Sequence, residues 1–348
     1  MRRLPVFLVI DVSESMAGDN LRSLQEGIER LIQSLRTDPY ALETAYLSVI
    51  AFAGRARTLT PLVELASFYP PRLPLGSGTS IGAAFDHLMA EIDANVQRSS
   101  AQRKGDFKPL VFLMTDGKST DDVGPPLARW ARDYARRVNL VAVGIGAHAA
   151  LERLSEVTAD VLRIETAASS DFRKFIDWIS ASVSSQSRSI GIGEPARVNL
   201  AKVDESVMRK IESIAQATAV DEDFVIVAGR CQKSRLPYLI KYERSGQAVA
   251  TQDFQIDPVA YDLVGVFAAE RDFDALSDPR ANVRTINTDY LRGSPGCPHC
   301  GAPYAFAACA CGQIFCVPGP GSAVCPGCDS EIGMGVAEGG FDVSRARG

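Results

Sequence analysis

Short apolar runs alternate with amphipathic segments over the first half of the chain, and this alternation constrains the fold most. Runs rich in β-branched residues predict six strands, at residues 6–10, 45–52, 56–60, 110–115, 140–144 and 161–164. Helical spacing of apolar residues predicts helices at 21–35, 81–96, 127–138 and 151–157. A last helix behind a Ser170 cap carries one apolar stripe, at Phe172, Phe175, Ile176, Ile179 and Val183. Strands that alternate with helices indicate a parallel sheet covered on both faces.

The chain is too long for one hydrophobic core, so we expect several domains. Residues 1–190 are predicted to form an α/β domain with a doubly wound, Rossmann-like, mostly parallel sheet. The Ser- and Gly-rich stretch 182–193 predicts a boundary, because it has little apolar surface to bury. We expect a small α+β or mostly β region over 191–290, with strand-like runs at 224–228, 238–242 and 263–268. Residues 291–348 are predicted to be a separate zinc-ribbon-like module.

Two strands of the predicted sheet end in aspartates. Strand 6–10 runs into Asp11, which Ser13 and Ser15 follow, and strand 110–115 runs into Asp116. In a doubly wound sheet of order 3-2-1-4-5-6, strands one and four are neighbours where the winding reverses, so their carboxyl ends border one crevice. A Gly-rich loop before residue 81 brings Thr79 to the same edge. We therefore predict one metal site with these five oxygen-bearing side chains.

Hydroxyl and carboxylate oxygens suit Mg²⁺, with Mn²⁺ or Ca²⁺ as alternatives. The three hydroxyls add no negative charge, so a bound cation keeps affinity for a carboxylate from outside. Capping of helices and turns is the alternative role for these hydroxyls, but it leaves the paired aspartates unexplained. The pattern Asp-x-Ser-x-Ser, then Thr, then Asp resembles the metal-ion-dependent adhesion site of von Willebrand factor A domains, over about residues 1–190. The resemblance implies a non-catalytic domain that captures an acidic residue of a protein partner through Mg²⁺.

The enzymatic alternative is a Mg²⁺-dependent phosphohydrolase of haloacid-dehalogenase type. Such enzymes also place an aspartate after the first strand, and Asp121 and Asp122 offer a later acidic group. Their mechanism needs a general acid two residues after the nucleophile, where this chain has Ser13. No nucleophile-and-base set includes any of the three histidines, which are His87, His148 and His299. We therefore expect no enzymatic activity.

Seven of the eight cysteines lie between residues 297 and 328, which favours metal over disulfides. Two Cys-Pro-x-Cys knuckles predict one closed zinc site, with the ligands Cys297, Cys300, Cys325 and Cys328. A hairpin of strands 304–310 and 313–317 fills the gap between them. The remaining ligands permit a second zinc ion, at Cys309, Cys311, Cys316 and His299. The alternative is that these cysteines are small apolar residues, and an iron–sulfur cluster lacks a recognised spacing. Cys231 stands apart and predicts a buried thiol.

Charge and hydropathy narrow the function classes. A formal charge of −5, from 37 Lys and Arg against 42 Asp and Glu, gives no overall attraction for nucleic acid or anionic membranes, although it is compatible with a local basic patch. Residues 297–328 contain no Lys or Arg, which argues against nucleic-acid binding there. The first apolar run is too short for a signal peptide, and no run approaches the roughly 20 residues of a membrane span. We expect a cytoplasmic protein with protein partners.

The adhesion-site pattern combined with Cys-Pro-x-Cys-Gly, Cys-x-Cys-Gly and Cys-Pro-x-Cys motifs resembles TerY-like proteins of bacterial tellurium-resistance and stress-response clusters. This resemblance rests on the two ends of the chain. It implies an intracellular scaffold beside a protein kinase and a PP2C-type phosphatase. The layout is also similar to eukaryotic repair-helicase and proteasome subunits, so a zinc-ribbon subunit of a nucleic-acid or ubiquitin-related assembly is a further alternative. The intact oxygen set favours metal-mediated capture.

Overall fold

The computed structural model describes residues 2–100, 102, 104–116, 119–146, 151, 153–164, 169–192, 200–201, 208–210, 224–245, 249–250, 255–256, 260–278, 284–335 and 339–345. The chain divides into two compact units. The first holds Met1–Leu73 and Thr79–Ala217, and the second holds Pro74–Gly78 and Thr218–Gly348. None of the helices formed by the described residues is long and apolar enough to span a membrane.

The first unit is a sheet flanked by helices. Its strands are β1 (Leu4–Asp11), β2 (Ala45–Phe52), β3 (Ala56–Glu64), β4 (Leu110–Thr115), β5 (Asn139–Ile145), β6 (Asp160–Ile164) and β7 (Met208–Lys210). Its helices are α1 (Asp19–Arg36), α2 (Pro39–Thr44), α3 (Ile81–Asn95), α4 (Gly124–Asp133) and α5 (Ser169–Ile192). The strand order is β3-β2-β1-β4-β5-β6-β7, so the predicted order of the first six strands is confirmed. Both edge strands, β3 and β7, run antiparallel to their neighbours, and the inner strands are parallel.

Helices cover both faces of this sheet. On one face, Phe7 and Val9 of β1 share a buried cluster with Phe85 of α3 and Trp130 of α4. On the other face, Trp178 of α5 packs edge-on against a β4 phenylalanine, and α5 also packs against α1. All eight residues of β1 are buried. A central strand covered on both sides must be apolar along its whole length, which explains the uninterrupted run that predicted it.

Three helix predictions need correction. The predicted helix 127–138 begins earlier and ends earlier, as α4. The predicted helix 151–157 is only a short 3₁₀ turn, Leu154–Glu156, among the residues described there. Helix α5 includes Ser170 rather than starting after it, and it continues to Ile192 through the predicted boundary at 182–193.

The serines of that stretch lie on a packed helix face rather than in a linker. Ser180, Ser182 and Ser187 are all buried, and α5 packs against both α1 and α2. Arg188 extends the contact by pairing with Asp38, whose carboxylate caps the start of α2. Small hydroxyl side chains allow helices to approach closely, so a serine-rich composition does not here mark a boundary.

The second unit is mostly β. Its elements are β8 (Phe224–Arg230), β9 (Pro237–Ser245), β10 (Val249–Ala250), β11 (Gln255–Ile256), β12 (Ala260–Ala268), α6 (Phe273–Leu276), β13 (Arg284–Asn287), β14 (Leu291–Arg292), β15 (Tyr304–Ala308), β16 (Ile314–Val317), β17 (Gly321–Val324), β18 (Glu331–Met334) and β19 (Asp342–Arg345). A six-stranded sheet has the order β14-β12-β9-β8-β16-β15. The pairs β10-β11, β13-β19 and β17-β18 form smaller sheets.

This sheet corrects the predicted division between residues 191–290 and 291–348. The predicted hairpin is present as β15 and β16, but β16 also pairs in parallel with β8 of the preceding region. Strand β19 likewise pairs with β13. The two predicted parts therefore share one sheet and one buried cluster. Short strands distant in sequence gave no signal of this pairing.

Candidate functional site

The carboxyl ends of β1 and β4 bring four of the five predicted oxygen-bearing residues into one hydrogen-bonded chain. The Ser13 amide donates to Asp11 Oδ1 at 2.9 Å. The Ser13 and Ser15 hydroxyl oxygens lie 3.0 Å apart, and Ser15 Oγ donates to Asp116 Oδ1 at 2.8 Å. This arrangement follows from the neighbouring, parallel placement of β1 and β4. Side chains from residues 11 and 116 therefore meet at one edge of the sheet.

Thr79, the fifth residue, is held by the loop that follows β4. Its amide donates to Thr120 Oγ1 at 3.0 Å, and its carbonyl accepts from the Thr120 amide at 2.7 Å. The preceding Gly78 has φ of 89°, a left-handed conformation that glycine adopts without strain. Thr79 is fully buried, and its Oγ1 has no hydrogen-bond partner among the described residues. A buried hydroxyl without a partner is costly, so this oxygen is suited to bind a cation.

The oxygen spacing also fits an octahedral ion. Metal–oxygen bonds of about 2.0–2.1 Å place adjacent ligands of an octahedron roughly 2.9 Å apart. The observed separation of 3.0 Å between the Ser13 and Ser15 hydroxyl oxygens matches that edge. In addition, the Ser15 hydroxyl donates its hydrogen bond to Asp116, so this hydrogen points away from a cation that the oxygen would bind. The residues present therefore fit a hard divalent cation.

Asp11 is a buried carboxyl group in this set. Burial raises its pKa to about 6, although hydrogen bonds from Ser13 and Thr115 favour the ionised form. The Thr115 hydroxyl donates to Asp11 Oδ2 at 2.5 Å, so both carboxylate oxygens accept hydrogen bonds. A neighbouring cation would offset the cost of burying this charge.

Asp121 and Asp122 have structural positions rather than positions for proton transfer. Asp121 accepts hydrogen bonds from the amides of Gly82 and Ala83, at 3.1 and 3.0 Å, and so caps α3 from another element. A Cβ at Gly82 would lie 2.8 Å from Asp121 Oδ2, so glycine is required for this approach. Asp122 caps α4 through the Gly124 amide. These contacts account for both carboxylates without phosphoryl-transfer chemistry.

Replacing Asp121 with alanine is expected to weaken the Thr79 region. Loss of the two hydrogen bonds to α3 should cost about 0.5–2 kcal/mol of unfolding free energy. Because Ser119 also bonds Asp121 and the Ile81 amide, two residues from Thr79, the dissociation constant for a divalent cation should rise roughly tenfold. Calorimetric titration with Mg²⁺ measures this change. The exposed neighbour offers a control, Asp122→Ala, which should leave Mg²⁺ affinity unchanged; equal affinity in both variants would contradict the assignment.

The cysteines of the second unit form two groups of four thiols. In each group the sulfur atoms all lie within 4.8 Å of one another. The first group, cluster A, contains Cys231, Cys297, Cys300 and Cys316. The second group, cluster B, contains Cys309, Cys311, Cys325 and Cys328. The two clusters are interleaved along the chain, since Cys316 of cluster A lies between the members of cluster B.

This grouping corrects the predicted ligand sets. The two Cys-Pro-x-Cys knuckles do not come together, because Cys297 and Cys300 lie in cluster A, whereas Cys325 and Cys328 lie in cluster B. The predicted second set, of Cys309, Cys311, Cys316 and His299, is also divided. His299 belongs to neither cluster, and its Nε2 lies 2.8 Å from the Pro237 carbonyl oxygen. The hairpin β15–β16 causes this division, with the Cys309–Cys311 turn at its tip and Cys316 inside β16.

Cys231 is the cluster member that the sequence did not predict. It is buried, as predicted, but it belongs to cluster A. Its turn has the same backbone form as the two knuckles, since the Arg235 amide donates to the Cys231 carbonyl and Arg235 has a positive φ of 59°. Ser234 stands where a knuckle has its second cysteine. A Cys-x-x-Ser spacing just after a strand was therefore the available signal.

The sulfur separations fit tetrahedral zinc. Zn–S bonds of about 2.3 Å place thiolates roughly 3.8 Å apart in a tetrahedron. The observed distances are 3.6 Å for Cys300–Cys316, 3.6 Å for Cys309–Cys328 and 3.7 Å for Cys311–Cys325. All eight cysteines are free, and these separations are far longer than a disulfide bond of about 2.05 Å.

Within cluster B the thiols do not ionise alike. Hydrogen bonds from the Ser330 side chain and amide, and then from neighbouring thiols, lower the pKa of Cys328 to about 6. The Cys311 amide favours the Cys309 thiolate, but burial and its bonds to neighbouring thiols outweigh that and raise the pKa of Cys309 to about 12. Four close thiols cannot all carry charge without a cation among them. Their proximity is therefore stable with a metal ion that holds all four as thiolates.

Comparison with known proteins agrees with this two-part organisation. A family model for the von Willebrand factor type A domain matches residues 6–178, and one for the TerY-C metal binding domain matches residues 221–348. Matrilin-2 of Mus musculus is 25% identical over 170 residues, which are 45% of this chain and 16% of that protein. The match thus spans about a sixth of this relative's length.

Two solved structures are similar to parts of the chain. Proximal thread matrix protein 1 from the mussel byssus, with a zinc-occupied metal-ion-dependent adhesion site, has 20% identity over 53% of this chain and 48% of that one, with a TM-score of 0.39. A von Willebrand factor type A protein from Catenulispora acidiphila has 13% identity over 79% of this chain and 68% of that one, with a TM-score of 0.42. The von Willebrand factor model covers the oxygen site, and the TerY-C model covers all eight cysteines. The chain is therefore a TerY-like protein, in which a von Willebrand factor type A domain precedes a TerY-C metal binding domain.

Proposed function

We propose that this protein is a non-enzymatic scaffold whose A domain captures an acidic residue of a partner protein through a bound Mg²⁺ ion. The observation that carries this proposal is the buried Thr79 hydroxyl, which has no hydrogen-bond partner among the described residues. The hydroxyl oxygens of Ser13 and Ser15, which belong to the same site, have the spacing of adjacent ligands in an octahedron. The carboxylates of Asp11 and Asp116 accept hydrogen bonds from Ser13 and Ser15, which position these two serines.

Each residue has a defined role in this proposal. Ser13, Ser15 and Thr79 bind the ion through neutral oxygens. Asp116 accepts the Ser15 hydrogen bond and orients that hydroxyl, while Asp11 holds the Ser13 turn through its amide. When bound, the ion supplies an open coordination position for a carboxylate. Since the hydroxyl ligands contribute no charge, the ion retains attraction for an acidic side chain.

We further propose that clusters A and B each hold one structural zinc ion. Four thiolates form a closed tetrahedral shell, which leaves no position for a substrate. A polynuclear iron–sulfur cluster would place iron and sulfide between the thiolates and spread them more widely than the observed distances. Cluster A joins the turn after β8 to β16, so its zinc would stabilise the pairing of these strands.

The resemblance to TerY-like proteins supports a setting for this scaffold. We propose that it acts in the cytoplasm in a bacterial stress-response or tellurium-resistance system, with a protein kinase and a PP2C-type phosphatase as partners. The TerY-C match supports this setting. The contribution proposed for the protein in this system is assembly of its partners.

Partner recovery tests the capture proposal. The tagged 348-residue chain is incubated with a purified protein kinase or PP2C-type phosphatase as the proposed partner, in Mg²⁺ or in chelator. Recovery is expected in Mg²⁺ only, and loss of recovery is expected for Thr79→Val, which keeps the shape of the side chain but removes the ligand oxygen. Thr58→Val is a matched control, because Thr58 lies on the edge strand β3 and bonds His87 instead. Equal recovery in all conditions would contradict Mg²⁺-dependent capture.

The two clusters should release zinc at different rates. Cys311 and Cys328 of cluster B are exposed, whereas three members of cluster A are buried and only Cys300 is partly exposed. A chelator must reach a thiolate-bound ion to remove it, so cluster B should release zinc first. A chromophoric chelator should report two phases of equal amplitude, and Cys328→Ala should lack the fast one. A single phase in the wild-type protein would contradict this difference.

A further inference from the structure

A basic cavity lies at the edge of the first unit's sheet opposite the oxygen site. It has a volume of about 620 Å³ and is bordered by the residues that precede β4 and β5, together with the ends of α3 and α4. Four basic side chains line it, from Arg98, Lys108, Arg132 and Arg137. We propose that this cavity binds a small phosphate ester, with the phosphate at Lys108 and the organic part on the apolar floor.

The acidic residues around the cavity cancel only part of this charge. Arg98 and Arg137 share the single carboxylate of Asp93, at 3.1 and 2.8 Å. The Asp106 carboxylate is almost wholly buried. The Arg3 guanidinium neutralises it through two contacts, at 2.9 and 2.6 Å, and the Gln97 amide also donates to it. Asp133 pairs with the adjacent Arg132, but both side chains are largely exposed. Because Arg132 holds this carboxylate through two hydrogen bonds, at 2.9 and 2.8 Å, it offers less charge to an incoming anion than Lys108 does.

Lys108 is the side chain that points most directly to an anionic ligand. It is partly buried and makes no hydrogen bond or ion pair with any described residue. Burial alone lowers the pKa of its ammonium group. Arg132, in the last turn of α4, also complements the helix dipole there. Lys108 lies in the loop before β4 and has no such role. An anion would restore the interactions that the ammonium loses on burial.

The cavity shape favours a small molecule with an apolar part. Its volume lies in the range of ligand pockets, which is about 300–1,000 Å³. Apolar residues make up part of its lining, which we call the floor: Ile92, Val96, Phe107, Pro109 and Val138. A free phosphate ion would use only the basic rim, whereas a phosphate ester such as a nucleotide or a sugar phosphate uses both rim and floor.

Calorimetric titration tests this proposal on the full-length protein in chelator, so that the oxygen site holds no cation. The probes are ADP, glucose 6-phosphate, inorganic phosphate and adenosine. Saturable binding is expected for at least one ester, with inorganic phosphate at least about tenfold weaker and adenosine without saturation. The comparison of ADP with glucose 6-phosphate identifies the organic part that the floor accepts.

Variants connect this binding to the cavity. Lys108→Gln should weaken ester binding about tenfold, and Lys108→Arg should retain it within a few fold, because the charge is kept. Arg22→Gln is a control, since Arg22 is an exposed α1 arginine paired with Asp19. Thermal unfolding verifies that each variant folds. No saturable binding of either ester, equal affinity for inorganic phosphate, or unchanged affinity in Lys108→Gln would each overturn the proposal.

Discussion

Replacing Cys297 and Cys325 together with alanine is expected to remove both zinc ions and the cooperative unfolding of the second unit. The two residues belong to clusters A and B respectively, so each ion loses one of its four thiolates. Zinc contributes about 10–16 kcal/mol of apparent binding free energy in small structural sites, which exceeds the stability of most domains. The double replacement should therefore unfold this unit rather than lower its unfolding temperature modestly.

Zinc content of the purified variants, together with thermal unfolding, measures this result. The double variant Cys231→Ala/Cys297→Ala removes two ligands of cluster A only, and it should retain one zinc ion per chain. Ser234→Ala, a change in the same turn as Cys231, should retain two. If Cys297→Ala/Cys325→Ala retained one tightly bound ion while Cys231→Ala retained two, the two knuckles would share a site and the grouping would be wrong.

Replacing Asp11 with alanine is expected to abolish the response of the first unit to Mg²⁺. Asp11 accepts from the Ser13 amide and from Thr115, so its loss removes both negative charge and the anchor of the serine turn. Saturating the wild-type site at one hundred times the dissociation constant should add about 2.7 kcal/mol to the unfolding free energy. The variant should show none of this gain.

Thermal unfolding with increasing Mg²⁺ measures the loss. Asp122→Ala is a suitable control, because its carboxylate is exposed and caps α4 only. In chelator, Asp11→Ala should remain folded, since the burial of an unneutralised carboxylate costs free energy that alanine does not incur. An undiminished Mg²⁺ response in this variant would contradict the assignment of the ion to this crevice.

The sheet of the first unit could be predicted because its central strands are apolar throughout. Burial on both faces leaves an uninterrupted apolar run in each strand, and doubly wound topology then sets which strand ends are neighbours. The positions of Asp11 and Asp116 follow directly from these two facts. The hydrogen-bonding roles of the nearby Asp121 and Asp122 did not follow, because they depend on how one loop packs against the start of α3.

The division of the cysteines into clusters A and B could not be predicted from their spacing in the sequence. Four close knuckle-like turns allow several groupings, and the choice depends on the β15–β16 hairpin and its parallel contact with β8. That contact joins segments about eighty residues apart. The sequence of a short strand does not indicate which distant strand it pairs with. Cys231 was missed for the same reason, since its partner Cys316 is near it only through this contact. The serines of α5 show a different error. Their composition indicated a linker, but the segment forms a packed helix.

Anomalous diffraction from crystals of the full-length protein grown with Mn²⁺, a substitute for Mg²⁺, tests the central claim most directly. We expect one strong peak at the carboxyl edge of β1 and β4, about 2.2 Å from the oxygens of Ser13, Ser15 and Thr79. A coordination position not filled by the protein should hold water or an added carboxylate. A fully occupied, ordered Thr79 hydroxyl with no metal peak beside it would contradict the claim.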